Sequence, residues 1–386
     1  MTIDSGLRKF VAPEYVFGLG ARHLAGQYAI KLGARRILVV SDSGVIAAGW
    51  TADVIKSIEA ENIPYVVFSD VSANPRSEEV MAGSKVYTAE QCNMIVAVGG
   101  GSPIDCAKGI GIVCSNRRHI LEFEGVDQVV VPIPPLICIP TTGGTSADVS
   151  QFAIITNLQE KVKIAIVSKA VVPDLALIDP ETLCSMNPYL TACTGMHALT
   201  HAIEAFVSNA HSPMTDIHAL EAIRLLSQNL IPSVKNPADL NLRSKVMLAS
   251  LQAGLAFSNA ILGATHAMAH SLGGYLDLPH GECNAILLDH VMAYNVSSSP
   301  ERFDSIAEAL GLDLRGLSQN SRSQTLLSRV REIKQTIGID RHLGELGVNR
   351  SDLKALSRHA VADACLVTNP RNASIRDLET IYEEAL

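Results

Sequence analysis

The chain has 386 residues, 47% hydrophobic and 18% charged, with a formal net charge of −8. That length exceeds one ordinary core, so two domains are expected. The acidic balance argues against nucleic acid or an anionic membrane as partner, and no apolar run reaches the length of a membrane span.

The N-terminal stretch MTIDSGLRKFVAPEY has no apolar leader core, which predicts a cytoplasmic protein. The eight cysteines are scattered without CxxC spacing and read as buried thiols of a reducing compartment. GLGARHLAG (18–26) begins as GxG, but His23 occupies the last glycine position and no convincing strand precedes it. It reads as a turn. RRILVVSD (35–42), IPYVVFSD (63–70), NMIVAVGGG (93–101) and PLICIPTT (135–142) are short apolar runs stopped by Gly, Pro, Ser or Asp, the pattern of buried strands. Helical segments near 45–60 and 76–91 alternate with them, and this rhythm predicts a parallel sheet with helices on both faces. QFAIIT, KIAIVS and LALID add three further strands by residue 179.

Three loops of this half carry chemistry. In NMIVAVGGGSPIDCAKG a strand ends in three glycines, and Ser102, Pro103 and Asp105 fit the N-cap, first and third positions of a helix. Glycine admits a bound group close to the backbone, and the helix start offers free N–H donors; the predicted ligand is a pyrophosphate. PTTGGTSAD (140–148) follows another strand, so its hydroxyls fall at the same sheet edge. Asp42 ends a strand where a carboxylate can accept from a ribose diol and repel a 2′-phosphate, favouring NAD over NADP.

From Pro188 onward only helical periodicity remains, interrupted at Pro213, Pro232, Pro237, Pro279, Pro300 and Pro370. The domain boundary is expected near 180–188 and drawn as 1–184 and 185–386. Within the second domain, His197 and His201 sit in TACTGMHALTHAIEA, and His266 and His270 in GATHAMAHSLGG. Each i,i+4 pair puts two imidazoles on one helix face. His280 sits on a Pro-His-Gly turn in LPHGECNA, and His290 lies ten residues further on. The neighbours are Ala, Met, Leu, Ile and Gly, so these imidazoles are expected to be buried, and buried imidazoles need partners. A metal is the partner this pattern predicts.

GGGSPIDCAKG, PTTGGTSAD, KIAIVSKAVVPDLALIDPE, TACTGMHALTHAIEA, HAMAHSLGG and PHGECNAILL together resemble the iron-containing (group III) alcohol dehydrogenases over essentially the full chain. The resemblance implies an α/β N-terminal Rossmann-like parallel-sheet domain plus an all-α C-terminal domain, with NAD and a divalent metal (Fe2+ or Zn2+) between them. It also implies a homodimer or larger homo-oligomer acting on a small alcohol or aldehyde. Carried over by motif, the pyrophosphate contacts are Gly100, Gly101 and Ser102, and the other nucleotide contacts are Asp42, Asn74, Thr141, Thr142, Thr145 and Lys163. The metal ligands are His197, His201, His266 and His280, and His270 stands beside the metal without binding it. Lying one turn after His266 and near the metal, His270 is the candidate for the proton relay that alcohol oxidation requires. Cys365, in DACLVTNPR, matches a position lining the substrate pocket.

Two positions depart from the family pattern. His197 stands in GMHAL where the family commonly has Asp in GMDAL, which turns one carboxylate and three imidazoles into four imidazoles and shifts preference from iron toward zinc. The threonine loop reads TTGGTSAD in place of TTAGTGSE, with Asp148 shortening the usual Glu. A dehydroquinate-synthase-like or glycerol-dehydrogenase-like enzyme of the same fold is the alternative, and a non-catalytic metal-binding protein is the other. A sugar-phosphate substrate would call for several cations, and 191–290 has only Arg224, Lys235, Arg243 and Lys245. The uncharged QFAII stretch favours a small neutral substrate.

Overall fold

The computed structural model describes residues 9–386; Met1–Arg8, part of the stretch read for a leader, lie outside the described residues. The strands are β1 (Glu14–Phe17), β2 (Ile37–Val40), β3 (Tyr65–Phe68), β4 (Met94–Gly99), β5 (Gly125–Val126), β6 (Leu136–Pro140), β7 (Phe152–Asn157), β8 (Val162–Val167) and β9 (Leu175–Ile178). Helices of the first half are α1 (Ala25–Lys31), α2 (Ser43–Ala47), α3 (Trp50–Ala60), α4 (Ser77–Ala89) and α5 (Gly101–Asn116).

Six strands form one sheet in the order β1-β9-β6-β4-β2-β3, every pairing parallel. β2, β4, β6 and β9 are buried along their whole length, because alternate residues feed cores on opposite faces. Leu38, Val40, Ile95 and Ala97 pack with α4 and α5, while Ile37, Val39, Met94 and Val96 pack with α1 and α3. The chain leaves β2 toward β3 and leaves β4 toward β6, in opposite directions. A crevice therefore opens between the Asp42 and Gly100 loops, the position where ligands of such sheets bind. β7 and β8 form an antiparallel hairpin that, with β5, makes a separate small sheet.

Beyond a 3-10 turn (Pro180–Ser185), the regular structure is helical: α6 (Pro188–Val207), α7 (Pro213–Lys235), α8 (Leu240–Ala260), α9 (Ala264–Leu276), α10 (His280–Asn295), α11 (Pro300–Ala309), α12 (Gln319–Thr336), α13 (Leu353–Ala362) and α14 (Ile375–Glu384). Among the described residues no single helix is long and apolar enough to cross a membrane. Pro188, Pro213 and Pro300 open helices, where the missing N–H costs nothing. Pro232 does not interrupt α7 as expected, since it lies in the last turn, where only one intrahelical bond is lost. The helix expected over 45–60 is split at Gly49, whose φ of +88° favours glycine.

The GLGARHLAG stretch folds as a 3-10 turn (Ala21–Leu24), but a strand does precede it. β1 lies at the sheet edge with only partial burial, so its four residues lack the apolar signature of the inner strands. The turn has a structural use. Arg22 is 8% exposed at its side chain and pairs with Asp179 at 2.6 Å, Glu181 at 2.5 Å and Asp53 at 3.3 Å. It thereby ties α3 to the segment that joins the two halves, and its guanidinium lies 5.0 Å over the Trp50 ring. Arg22→Ala should destabilise the protein by about 3 kcal/mol, because it strands the fully buried Asp179 carboxylate. Arg22→Ala/Asp179→Asn should regain much of that loss in urea denaturation. Equal midpoints for wild type and the single variant would show that the pair adds nothing.

Candidate active site

A cleft of about 880 Å³ runs from the Asp42 loop to the helical half, and every site residue expected from the sequence lines it, apart from Cys365. At one end Asp42 caps α2 by accepting from Val45 N at 2.9 Å, so its carboxylate is fixed at the crevice. Trp50 lines the same end, with its indole N–H donating to Ser185 Oγ at 2.8 Å. Sequence reasoning passed over Trp50 because it sits in an ordinary helical segment.

The glycine loop differs in detail from expectation. The N-cap of α5 is Gly100, not Ser102, and no side chain caps the helix. Ser102 instead donates to Ala73 O at 2.5 Å, and Asp105 turns toward the cleft interior, where burial pushes its pKa up to about 6. The capping box is therefore absent, and the first N–H groups of α5 stay open toward the cleft, which is what an anion needs. The threonine loop packs directly on them. A Cβ placed on Gly101 would stand 2.6 Å from Thr145 Oγ1, and one on Gly100 would stand 3.1 Å from Thr142 Cγ2. Thr141, Thr142 and Thr145 line the cleft, whereas Asp148 is buried behind it.

Asn74 and Lys163 are bonded to each other. Lys163 Nζ donates to Asn74 Oδ1 at 2.7 Å, and Asn74 Nδ2 donates to Asp277 Oδ1 at 2.6 Å. This chain joins the sheet half to the end of α9. It is possible because Gly273 and Gly274 let α9 approach β8; a Cβ on either would come within 2.7 Å of Lys163. Burial lowers the Lys163 pKa to about 8.

The five histidines meet at the other end. α6 supplies His197 and His201, α9 supplies His266 and His270, and His280 is the first residue of α10. Ligand atoms of His197, His201 and His266 all lie within 4.8 Å of one another. His280 lies just outside that group, with its ring 4.8 Å from His197 and stacked 5.1 Å from His270. His290 points elsewhere, toward Glu384 at 3.9 Å. His201 Nδ1–H donates to Gly144 O at 3.0 Å, and its ring stacks on Phe257 at 4.1 Å. His266 Nδ1–H donates to Glu204 Oε2 at 2.6 Å. In both rings this leaves Nε2 as the bare nitrogen. His197 Nε2 stands 3.1 Å from His266 Nε2, and two such nitrogens repel unless a proton or a cation lies between them. Burial above all holds His197, His201 and His280 well below the ordinary imidazole pKa, with neighbouring imidazoles adding to it in all three and Lys163 in His197 and His280, so all three are neutral near pH 7.

His270 Nδ1–H donates to Asp363 Oδ2 at 2.8 Å. Cys365 corrects an expectation: it is fully buried beside Asp363 and does not line the cleft. Glu204 and Asp363 were missed by sequence reasoning. Glu204 carried one local signal, since it lies seven residues from His197 on the same helix face.

Comparison with known proteins agrees with this geometry. Residues 12–180 match the profile of iron-containing alcohol dehydrogenases, and residues 191–386 match that of the C-terminal part of the Fe-containing alcohol dehydrogenase family. The chain belongs to the iron-containing alcohol dehydrogenase family. It is 38% identical over 371 residues to 1,3-propanediol dehydrogenase of Klebsiella pneumoniae, covering 96% of each chain. It is 35% identical to the NAD-dependent methanol dehydrogenase of Bacillus methanolicus, covering 98% of this chain and 99% of that protein. A crystal structure of 1,3-propanediol oxidoreductase superposes with a TM-score of 0.95 at 37% identity, covering 99% of this chain and 100% of the other.

The buried imidazoles make stability depend on pH. Above about pH 6.5, their ordinary pKa, folded and unfolded chains are alike in leaving them neutral. Below it the unfolded chain binds protons that the folded site resists, so stability falls with pH. Chelator-treated protein should lose unfolding free energy between pH 7 and 5.5, and His201→Gln should lose less over the same interval. Identical slopes for the two would mean that this imidazole protonates freely in the fold.

Proposed function

We propose that the protein is a metal-dependent alcohol dehydrogenase that transfers hydride reversibly between a small primary alcohol or aldehyde and NAD(H). One observation carries the reading: an uncapped helix start and a set of neutral imidazoles open on the same cleft. The donor set fits a divalent cation, since His201 and His266 have their remote nitrogens bonded and their Nε2 atoms bare. His197 and His280 complete the set, with His197 in place of the Asp that the family pattern carries. When bound, iron(II) or zinc acts as a Lewis acid on the substrate oxygen.

The remaining work falls to the chain itself. The N–H groups of Gly101 and Ser102 bind the pyrophosphate, with Gly100 admitting it close to the backbone. Asp42 accepts from the ribose hydroxyls and repels a 2′-phosphate, and Thr141, Thr142, Thr145, Asn74 and Lys163 hold the nucleotide from the facing walls. His270 takes the hydroxyl proton at Nε2. Phe152, Phe257 and Leu262 exclude water and shape a neutral subsite. Lys163 is the one Lys or Arg among the described residues that line the cleft, which disfavours the sugar phosphate of a dehydroquinate-synthase-like reaction. The relatives named for 1,3-propanediol and methanol point the same way.

We divide the chain into a cofactor domain, 1–184, and a metal domain, 185–386, on the change from sheet to helix after Ile178. The open side of edge strand β1, with Tyr15 exposed, supports a homodimer or larger assembly, and the eight free thiols support a cytoplasmic location.

Purified protein should retain stoichiometric iron or zinc by elemental analysis and form NADH from short primary alcohols; failure of either sinks the proposal. His266→Ala should empty the site. After reconstitution with equimolar iron(II) and zinc, His197→Asp should hold more iron than wild type, and an unmoved ratio would remove His197 from the ligand set. For the phosphate loop, Gly101→Ala should weaken NADH binding at least about tenfold, roughly 1.4 kcal/mol. Because the new methyl also strikes Thr145, Gly101→Ala/Thr145→Ala should recover stability without recovering affinity. Recovery of both would place the pyrophosphate elsewhere.

A further inference from the structure

The C-terminal segment 363–369 touches the site from behind without lining the cleft. It grips α9 at two points. Asn369 Oδ1 accepts from Ala264 N at 3.0 Å, at the helix start, and Asp363 Oδ2 accepts from His270 Nδ1–H at 2.8 Å, further along. The Asp363 and His270 side chains are 7% and 5% exposed, so water does not compete for this bond. The second carboxylate oxygen, Oδ1, accepts from Cys365 N at 2.8 Å and caps the 3-10 turn Ala364–Thr368. Asp363 cannot rotate away from His270 without uncapping that turn.

We infer that Asp363 is a positioning residue for the reaction, holding His270 as the Nδ1–H tautomer with Nε2 directed at the cleft. The inference rests on the reading of His270 as the proton relay. In alcohol oxidation the hydride carries two electrons from the substrate carbon to the nicotinamide ring, and the hydroxyl proton passes to His270 Nε2. His270 then carries hydrogen on both nitrogens, and the Asp363 carboxylate, facing Nδ1–H, stabilises the positive ring without taking the proton itself. His270 afterwards releases the Nε2 proton to water. With the opposite tautomer Nε2 would already carry hydrogen and could accept nothing.

A second cation is the competing occupant, because ligand atoms of His270, Asp363 and Cys365 lie within 4.8 Å of one another. Burial, and then the adjacent Asp363 charge, push the Cys365 thiol well above its ordinary range, and a protonated thiol is a poor ligand. Both carboxylate oxygens are also already engaged.

The test is a double-mutant cycle on metal-loaded enzyme with His270→Ala, Asp363→Asn and both together. Asp363→Asn should lower kcat by about 10²-fold, with metal content and alcohol KM unchanged. In the His270→Ala background it should change kcat less than about twofold, because its effect passes through the ring. Multiplicative losses, an unchanged kcat, or metal lost in Asp363→Asn would each overturn the inference. If His270→Ala leaves kcat intact, the relay itself falls; if His270→Ala is slow but the losses multiply, only Asp363 falls. Nitrogen-15 NMR of the zinc-loaded wild type, with His270 assigned by its absence in His270→Ala, gives a readout that needs no folded Asp363 variant. A bare Nε2 and protonated Nδ1 are expected, and the reverse tautomer would overturn the assignment.

Discussion

The Glu204 carboxylate is the contact on which the histidine site depends. It is 3% exposed on α6, and it accepts from Gly263 N at 3.0 Å, Thr265 N at 2.6 Å and His266 Nδ1–H at 2.6 Å. A negative charge at the start of α9 meets the positive end of that helix, and the same charge orients the His266 ring. One interaction thus sets the distance between the two imidazole pairs. Gly263 belongs to the arrangement, because a Cβ there would lie 2.9 Å from Asn369 Oδ1 and 3.0 Å from Glu204 Oε1.

The turn before α9 bears the cost of that geometry. Ile261 adopts φ +62° and ψ −165°, a conformation that a β-branched side chain disfavours by roughly 1–3 kcal/mol. The surrounding bonds hold it there. Ala260 O accepts from Ser208 Oγ at 2.5 Å, Leu262 O accepts from Thr368 Oγ1 at 2.6 Å, and Glu204 and Asn369 cap the following helix. α8 and α9 meet at 97° across this turn, and Leu262 is carried into the cleft wall. Strain here is the consequence of bending two apolar helices sharply enough to aim His266 at α6.

The glycine loop and the histidine cluster share one cleft because two links span the halves. Asp277 reaches back through Asn74 to Lys163, and Arg22 fixes the segment after β9 while Trp50 bonds Ser185. Neutral imidazoles lie at one end of the cleft and open N–H groups at the other, and among the described residues its charged lining is Asp42, Asp105, Asp277 and Glu282 with Lys163.

Much of this was legible in the chain because it is local. Helix periodicity puts His197 beside His201 and His266 beside His270, and a run of glycines after an apolar strand marks a backbone that a bound group can approach. The buried strands declared themselves by continuous apolar residues, whereas edge strand β1, half exposed, did not. The capping box at Ser102 was misread because Asp105 and Ser102 are also drawn to non-local partners, and Ala73 O took the serine hydroxyl. What the tertiary structure alone decided are the groups that orient the histidines. Glu204 meets His266 across 62 positions and Asp363 meets His270 across 93. No period or spacing connects such pairs, since their proximity is created only when separate helices pack and leave buried hydrogen-bond donors that must find acceptors.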